Sequence, residues 1–219
     1  MLKYPCLVLD HDDTVVQTMK TLSYPFFCLE LEQFRPGTTM RISEYITECY
    51  HYGFADMCRK RFGFTEEELA LEHRQWMAYI MENIPEVFPG IDRIIRRQKE
   101  NGGILCVVSH SNSDNIRRDY LAHFGIQPDA IYGWDMEPHQ RKPHSWPLQD
   151  IMEKYHFHPK EILVVDDAQL ACQMADPLGV KVAFAGWDDM GVPEIRKEME
   201  KRCVYTFSTV SELEKFLFD

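Results

Sequence analysis

Cys6-Leu7-Val8-Leu9-Asp10-His11-Asp12-Asp13-Thr14-Val15 is a short apolar run that ends abruptly in three carboxylates and a threonine. Pro5 and the acidic cluster bound the run, so Cys6 to Leu9 reads as a buried strand with the charges in the turn past its carboxyl end. In open α/β sheets that edge is where ligands bind.

Two further apolar runs end in the same way. Ile104 to Val108 leads to Ser109, Ile162 to Val165 leads to Asp166-Asp167, and Val182 to Ala185 adds a fourth strand. Helical patterns lie between them. Ile91, Ile94 and Ile95 mark one that Gly102-Gly103 stops; Ser113 caps another, with Ile116, Tyr120, Leu121 and Phe124 inward and Gly125 at its end. Ser145-Trp146-Pro147 opens a third, a fourth ends at Leu178-Gly179, and Ser208 to Leu217 reads as an amphipathic helix closing the core. Strands that are apolar throughout, alternating with helices, predict a Rossmann-like parallel α/β sheet with helices on both faces. Asp10, Ser109, Asp166 and Asp167 then converge on one edge.

Residues 17–85 have a different texture, helical with no strand pattern. Pro25 and Arg35-Pro36-Gly37 interrupt the pattern, Ser43 can cap a new helix, and Thr65-Glu66-Glu67-Glu68 is a capping box for a helix carrying Leu69, Trp76 and Ile80. The chain is therefore expected to hold a core of residues 1–16 and 86–219, with an all-helical insert at 17–85.

Composition excludes several classes. A net charge of −11 disfavours nucleic acid and anionic membrane surfaces, and leaves a metal ion or a locally neutralised anion as partner. No run approaches the roughly 20 apolar residues of a membrane span, and no signal-peptide pattern opens the chain, so it reads as cytoplasmic. Seven scattered cysteines without a CxxC pair predict reduced thiols rather than a disulfide framework or zinc site. Oligomeric state is left open.

Carboxylates two apart beyond one strand, with an acidic pair beyond another, suit a hard divalent cation such as Mg²⁺. A carboxylate can also act as a nucleophile while a neighbour moves the leaving-group proton. Ser109 offers a hydroxyl, and Lys142, in Gln140-Arg141-Lys142-Pro143, the positive charge that admits an anion.

The chain resembles the haloacid dehalogenase-like hydrolase superfamily. Its first motif, Asp-x-Asp-x-Thr after an apolar run, reads Asp10-His11-Asp12-Asp13-Thr14; its second ends a strand at Ser109; its third is Lys142-Pro143; its fourth is Asp166-Asp167. The resemblance implies Asp10 as nucleophile, Asp12 as general acid and base, and Ser109 and Lys142 as phosphoryl contacts. It further implies Mg²⁺ held by Asp10, the backbone carbonyl of Asp12, Asp166 and Asp167, acting on a small phosphorylated metabolite. Asp12 separates the chain from the dehalogenases, which lack that second acid. The insert resembles the helical cap of the phosphoglycolate phosphatase and β-phosphoglucomutase branch. A sugar phosphomutase and a non-catalytic binding protein on the same fold are the alternatives.

Some positions stay open. Asp13 stands where the family usually has Gly, and is expected to face solvent or cap the following turn. His11 and His110 are open to local hydrogen bonding or substrate contact, His110 joining Ser109 and Lys142 as a substrate-binding candidate. Arg35, Arg41 and Arg59-Lys60-Arg61 read as solvated helix faces or as contacts for an acidic substrate tail, and Tyr24, Phe26, Phe27 and Trp76 as core of the insert.

Overall fold

The apolar runs become strands of one sheet in a computed structural model that describes residues 2–188 and 192–219. The chain separates into two compact units, Met1–Gln17 with Val87–Asp188 and Arg196–Asp219, and Thr18–Glu86 with Asp189–Ile195.

In chain order, β1 (Cys6–Leu9) leads to four helices of the second unit: α1 (Tyr24–Phe34), α2 (Ile42–Tyr52), the short α3 (Phe54–Met57) and α4 (Glu66–Glu82). Then come α5 (Ile91–Glu100), β2 (Ile104–Val108), α6 (Ser113–Phe124), β3 (Ala130–Tyr132), α7 (Trp146–Tyr155), β4 (Ile162–Asp166) and α8 (Gln169–Ala175). The chain finishes with β5 (Lys181–Ala185), α9 (Pro193–Arg202), β6 (Tyr205–Phe207) and α10 (Val210–Phe218).

All six strands pair in parallel in the order β3-β2-β1-β4-β5-β6. The order reverses beside β1, because the chain builds outward through β2 and β3 and then returns to place β4 on the other side. Leu9 is level with both Val107 and Val165, so Asp10 and Asp166 emerge side by side at that switch point. Alternation splits the strand residues between two faces. Leu7, Leu9, Leu105, Val107, Leu163 and Val165 pack with Ile91, Ile94 and Ile95 of α5, Ile116 and Tyr120 of α6, and Leu213 and Leu217 of α10. The opposite face is covered in part by α8, which packs on β4 and β5 and touches α7.

Several local expectations shift. Pro25, expected to interrupt the helical pattern, lies in the first turn of α1, and a π-helical turn at Met19–Ser23 runs straight into that helix, so the helical path continues through the proline. Arg41, not Ser43, precedes α2, and its backbone N–H donates to Glu44. The cap of α6 is Asn112, whose side chain accepts from the Asp114 N–H, and Leu121 is 61% exposed rather than inward. All seven cysteines are free thiols. Among the described residues no helix is long and apolar enough to cross a membrane.

The helical unit packs Phe27, Leu31, Tyr45, Ile46, Met57, Cys58, Phe64 and Leu69 into its own core. Five of its basic residues pair with neighbouring acids. The Arg35 fork donates to both Glu68 oxygens at 2.8 and 2.9 Å and to the Phe62 and Gly63 carbonyls. Arg59 pairs with Glu66 and Asp56, Lys60 with Asp56, Arg61 with Glu48 and Arg41 with Glu44. The solvated-face reading therefore accounts for them, with each exposed pair contributing about 1 kcal/mol or less.

Glu72 behaves oppositely. It is buried on α4, on the face that carries Leu69 and Trp76, and burial followed by the charge of Glu30 pushes its carboxyl up to about 7 from 4.5. Because its folded-state pKa is raised, Glu72 favours folding fully below about pH 4.5, and that contribution is lost as pH rises to about 7. The span corresponds to about 3 kcal/mol. Glu72→Gln is expected to flatten this pH dependence and to be more stable than wild type at pH 8. Denaturant melts at pH 5 and pH 8 check it, and parallel wild-type and variant pH trends would refute it.

Candidate active site

The backbone delivers the site. The Asp10 N–H donates to the Val165 carbonyl at 2.9 Å, so the residue after β1 is still stitched to β4 when its carboxylate emerges. Beyond it the chain turns tightly: the Val15 and Val16 amides both donate to the His11 carbonyl, and the Asp13 N–H donates to the Val16 carbonyl at 2.7 Å. This turn requires φ of +59° at Asp13, the left-handed region that Gly enters freely and Asp tolerates better than most residues. Asp13 is 6% exposed, so of the two expected roles the solvent-facing one is not met, while the residue does sit within the turn.

Lys142 Nζ donates to Asp10 Oδ1 at 2.6 Å and to Asp166 Oδ2 at 2.9 Å, all three side chains being buried. Asp166 Oδ1 accepts from the Ala168 N–H at 2.8 Å. Asp167 is only partly buried and completes a trio with Asp10 and Asp166 whose ligand oxygens lie within 4.8 Å of one another. Its Oδ1 accepts from the Thr14 hydroxyl at 3.4 Å.

Three neighbouring carboxylates lie by one ammonium, which bonds to Asp10 and Asp166. Burial alone would lower the pKa of Lys142, but Asp10 and Asp166 outweigh it and hold the ammonium charged. Burial pushes the Asp166 carboxyl up to about 7, against the pull of Lys142 and with the push of Asp10. Asp167 is raised well above the usual range by burial and then by the charges of Asp166 and Asp10. The trio is thus short of positive charge, and its oxygen-only donors fit a hard divalent cation.

The Asp12 carboxylate is not part of that trio. Its Oδ2 accepts from the Ser111 hydroxyl at 2.5 Å, and the Ser111 N–H donates in turn to Ser109 Oγ at 3.2 Å. Ser111 was not a sequence candidate, and only its place two residues past Ser109 hints at it. His110 turns to the backbone, Nε2 donating to the Lys142 carbonyl at 2.8 Å, with its ring edge-on to Trp134. Loss of solvation holds its imidazole below the usual histidine range. His11 is buried, pairs through Nε2 with Asp119 at 3.0 Å and stacks on Tyr120, a tie between the β1 turn and α6. Trp187 Nε1 donates to the Thr14 carbonyl at 3.2 Å.

A parallel sheet with a carboxylate at the end of its central strand, answered by a lysine and a paired acid, defines a hydrolase class built around a strand-end aspartate. The chain belongs to the haloacid dehalogenase-like hydrolase family, which matches residues 7–185. A phosphoglycolate phosphatase of Haemophilus influenzae (strain 86-028NP) is 29% identical over 121 residues, which is 52% of this chain and 53% of the relative. The chain thus aligns with about half the length of the curated relatives it matches. Among solved structures, the predicted phosphoglycolate phosphatase of Haemophilus somnus 129pt superposes with a TM-score of 0.76 at 23% identity, covering 99% of both chains. CbbY of Rhodobacter sphaeroides, solved with phosphate, superposes at 0.72 and 18% identity, covering 97% of this chain and 96% of that one. These two likenesses establish the fold.

Removing Lys142 leaves Asp10 and Asp166 buried, adjacent and without a counter-ion. Lys142→Met is expected to cost about 3–5 kcal/mol in urea denaturation at pH 7.5. A loss below about 1 kcal/mol would mean that the ammonium does not hold the carboxylates together.

Proposed function

We propose that the protein is a Mg²⁺-dependent phosphatase that hydrolyses a small phosphorylated metabolite through a phospho-Asp10 intermediate. The observation that carries this reading is the second acid: Asp12, two residues after the strand-end Asp10, is held by the Ser111 hydroxyl beside Ser109. The phosphoglycolate phosphatases among the relatives support the same class.

One oxygen of Asp10 attacks phosphorus, forming the acyl-phosphate bond as the ester P–O bond breaks. Asp12 gives its proton to the departing alkoxide. A water molecule then attacks the phosphorus, Asp12 takes a proton from that water, and the bond between the Asp10 oxygen and phosphorus breaks to release inorganic phosphate. Lys142 and Ser109 hold the phosphoryl oxygens, Lys142 while keeping Asp10 aligned, and His110 steadies Lys142 through its backbone carbonyl. Asp10, Asp166, Asp167 and the backbone carbonyl of Asp12 would hold Mg²⁺, which supplies Lewis-acid charge neutralisation for the phosphoryl group.

The test is hydrolysis of an aryl phosphate. Wild type is expected to release inorganic phosphate only with added Mg²⁺, and Asp10→Asn to lose at least about a thousandfold in kcat, or ~4 kcal/mol of barrier. Mg²⁺ should also raise the melting temperature of wild type but not of Asp167→Asn, a readout that needs no turnover. Activity in chelator equal to that in Mg²⁺, or an active Asp10→Asn, would sink the reading. With a hexose 1-phosphate, isomerised sugar phosphate without net phosphate would assign a mutase instead; no activity across a broad phosphate panel would favour a binding protein.

Asp13→Gly tests whether the extra acid belongs to the chemistry. Gly satisfies the φ of +59° without a side chain, so turnover is expected to stay within about tenfold, or about 1.4 kcal/mol of barrier. A larger loss would place the Asp13 carboxylate among the working groups.

A further inference from the structure

The helical unit contains a cavity of about 270 Å³ that the proposed phosphatase chemistry does not use. Aromatic rings wall it at angles to one another. Phe26 and Trp76 lie 5.4 Å apart at 58°, while Phe27 meets Phe54 at 87° and stacks on Tyr45 at 4.7 Å.

Glu72 lines the same cavity, one helical turn before Trp76, and is 8% exposed. Among the described residues no cation pairs with it. Glu30 adds to the deficit: it is 3% exposed and its Oε2 has no hydrogen-bond partner. A buried carboxylate without a counter-ion is costly, and a glutamine or leucine would fill the position at less cost. In the same unit Arg35, Arg59 and Arg61 are each engaged with another acid. His73 also lines the cavity without an ion pair to Glu72 among the described residues, so above the pH at which Glu72 ionises a cation from outside would supply the counter-charge. A strongly hydrated metal ion prefers a cage of oxygens, whereas alkylated ammonium groups are held by aromatic faces.

We infer that this cavity is a binding site for a small organic ammonium ion, with Phe26, Tyr45 and Trp76 against its alkyl surface and Glu72 as its counter-ion. The site lies wholly within the helical unit and does not rest on the phosphatase reading. Aromatic walls bind any apolar group of fitting size, so the distinguishing element is the charge. The cation must outperform an uncharged molecule of the same shape.

The experiment is isothermal titration of the full chain at pH 8 with choline chloride, set against 3,3-dimethyl-1-butanol, its uncharged isostere, at matched ionic strength. Saturable binding of choline at one site is expected, at least tenfold tighter than the isostere. Glu72→Gln, a variant expected to fold at least as stably as wild type, should weaken choline at least tenfold, as should Trp76→Leu. Asp10→Asn should bind choline as wild type does. Absence of saturable choline binding by wild type, equal affinity for choline and the isostere, undiminished binding by Glu72→Gln, or loss of binding in Asp10→Asn would each overturn the assignment.

Discussion

Lys142 Nζ, buried between Asp10 at 2.6 Å and Asp166 at 2.9 Å, is the interaction on which the sheet edge depends. It joins three segments that are remote in sequence: the turn after β1, the loop before α7 and the end of β4. Taking three charged groups out of water is expensive, and the arrangement survives because each carboxylate touches the ammonium directly and Asp166 also accepts a backbone N–H. One lysine does not neutralise three acids. The residual negative charge, which adds to burial in raising the Asp166 and Asp167 carboxyls, is what suits this edge to a cation.

Topology explains why these groups meet. β1 lies between β2 and β4, and each crossover must pass over a face of the sheet before its strand can pair. Where the direction of building reverses, the loops leaving β1 and β4 diverge to opposite sides and open a crevice between them. The apolar runs end there: four buried residues in β1 give way to Asp10, and four in β4 to Asp166. The sheet supplies rigidity, and the short turns after it supply chemistry.

The helical unit follows a different electrostatic plan. Its surface is laced with arginine–carboxylate pairs, among them the Arg35–Glu68 fork, while its interior holds Glu30 and Glu72, which form no ion pair among the described residues. Exposed pairs contribute little and are screened by salt. Interior carboxylates are far more consequential, because each must either keep a proton or acquire a partner.

Reading the chain alone determined the α/β class, the four longer strands, a few helix ends and the residues that form the charged edge. It could do so because those strands are buried on both faces and carry no polar residue until they end, and because Gly125 and Gly179 mark helix ends by their left-handed backbone. β3 and β6 were not legible, since each has three residues and is only partly buried. The exposure of Leu121, the burial of Asp13 and the pairing of Asp12 with Ser111 were equally hidden. Each depends on what packs from elsewhere in the chain: periodicity reports a face, not its neighbour. The tertiary structure alone decided that Lys142 bridges Asp10 and Asp166, and that Glu72 faces an aromatic cavity. Coulomb energy and desolvation depend on distance in space, and residues 10, 142 and 166 acquire that distance only when the sheet closes around them.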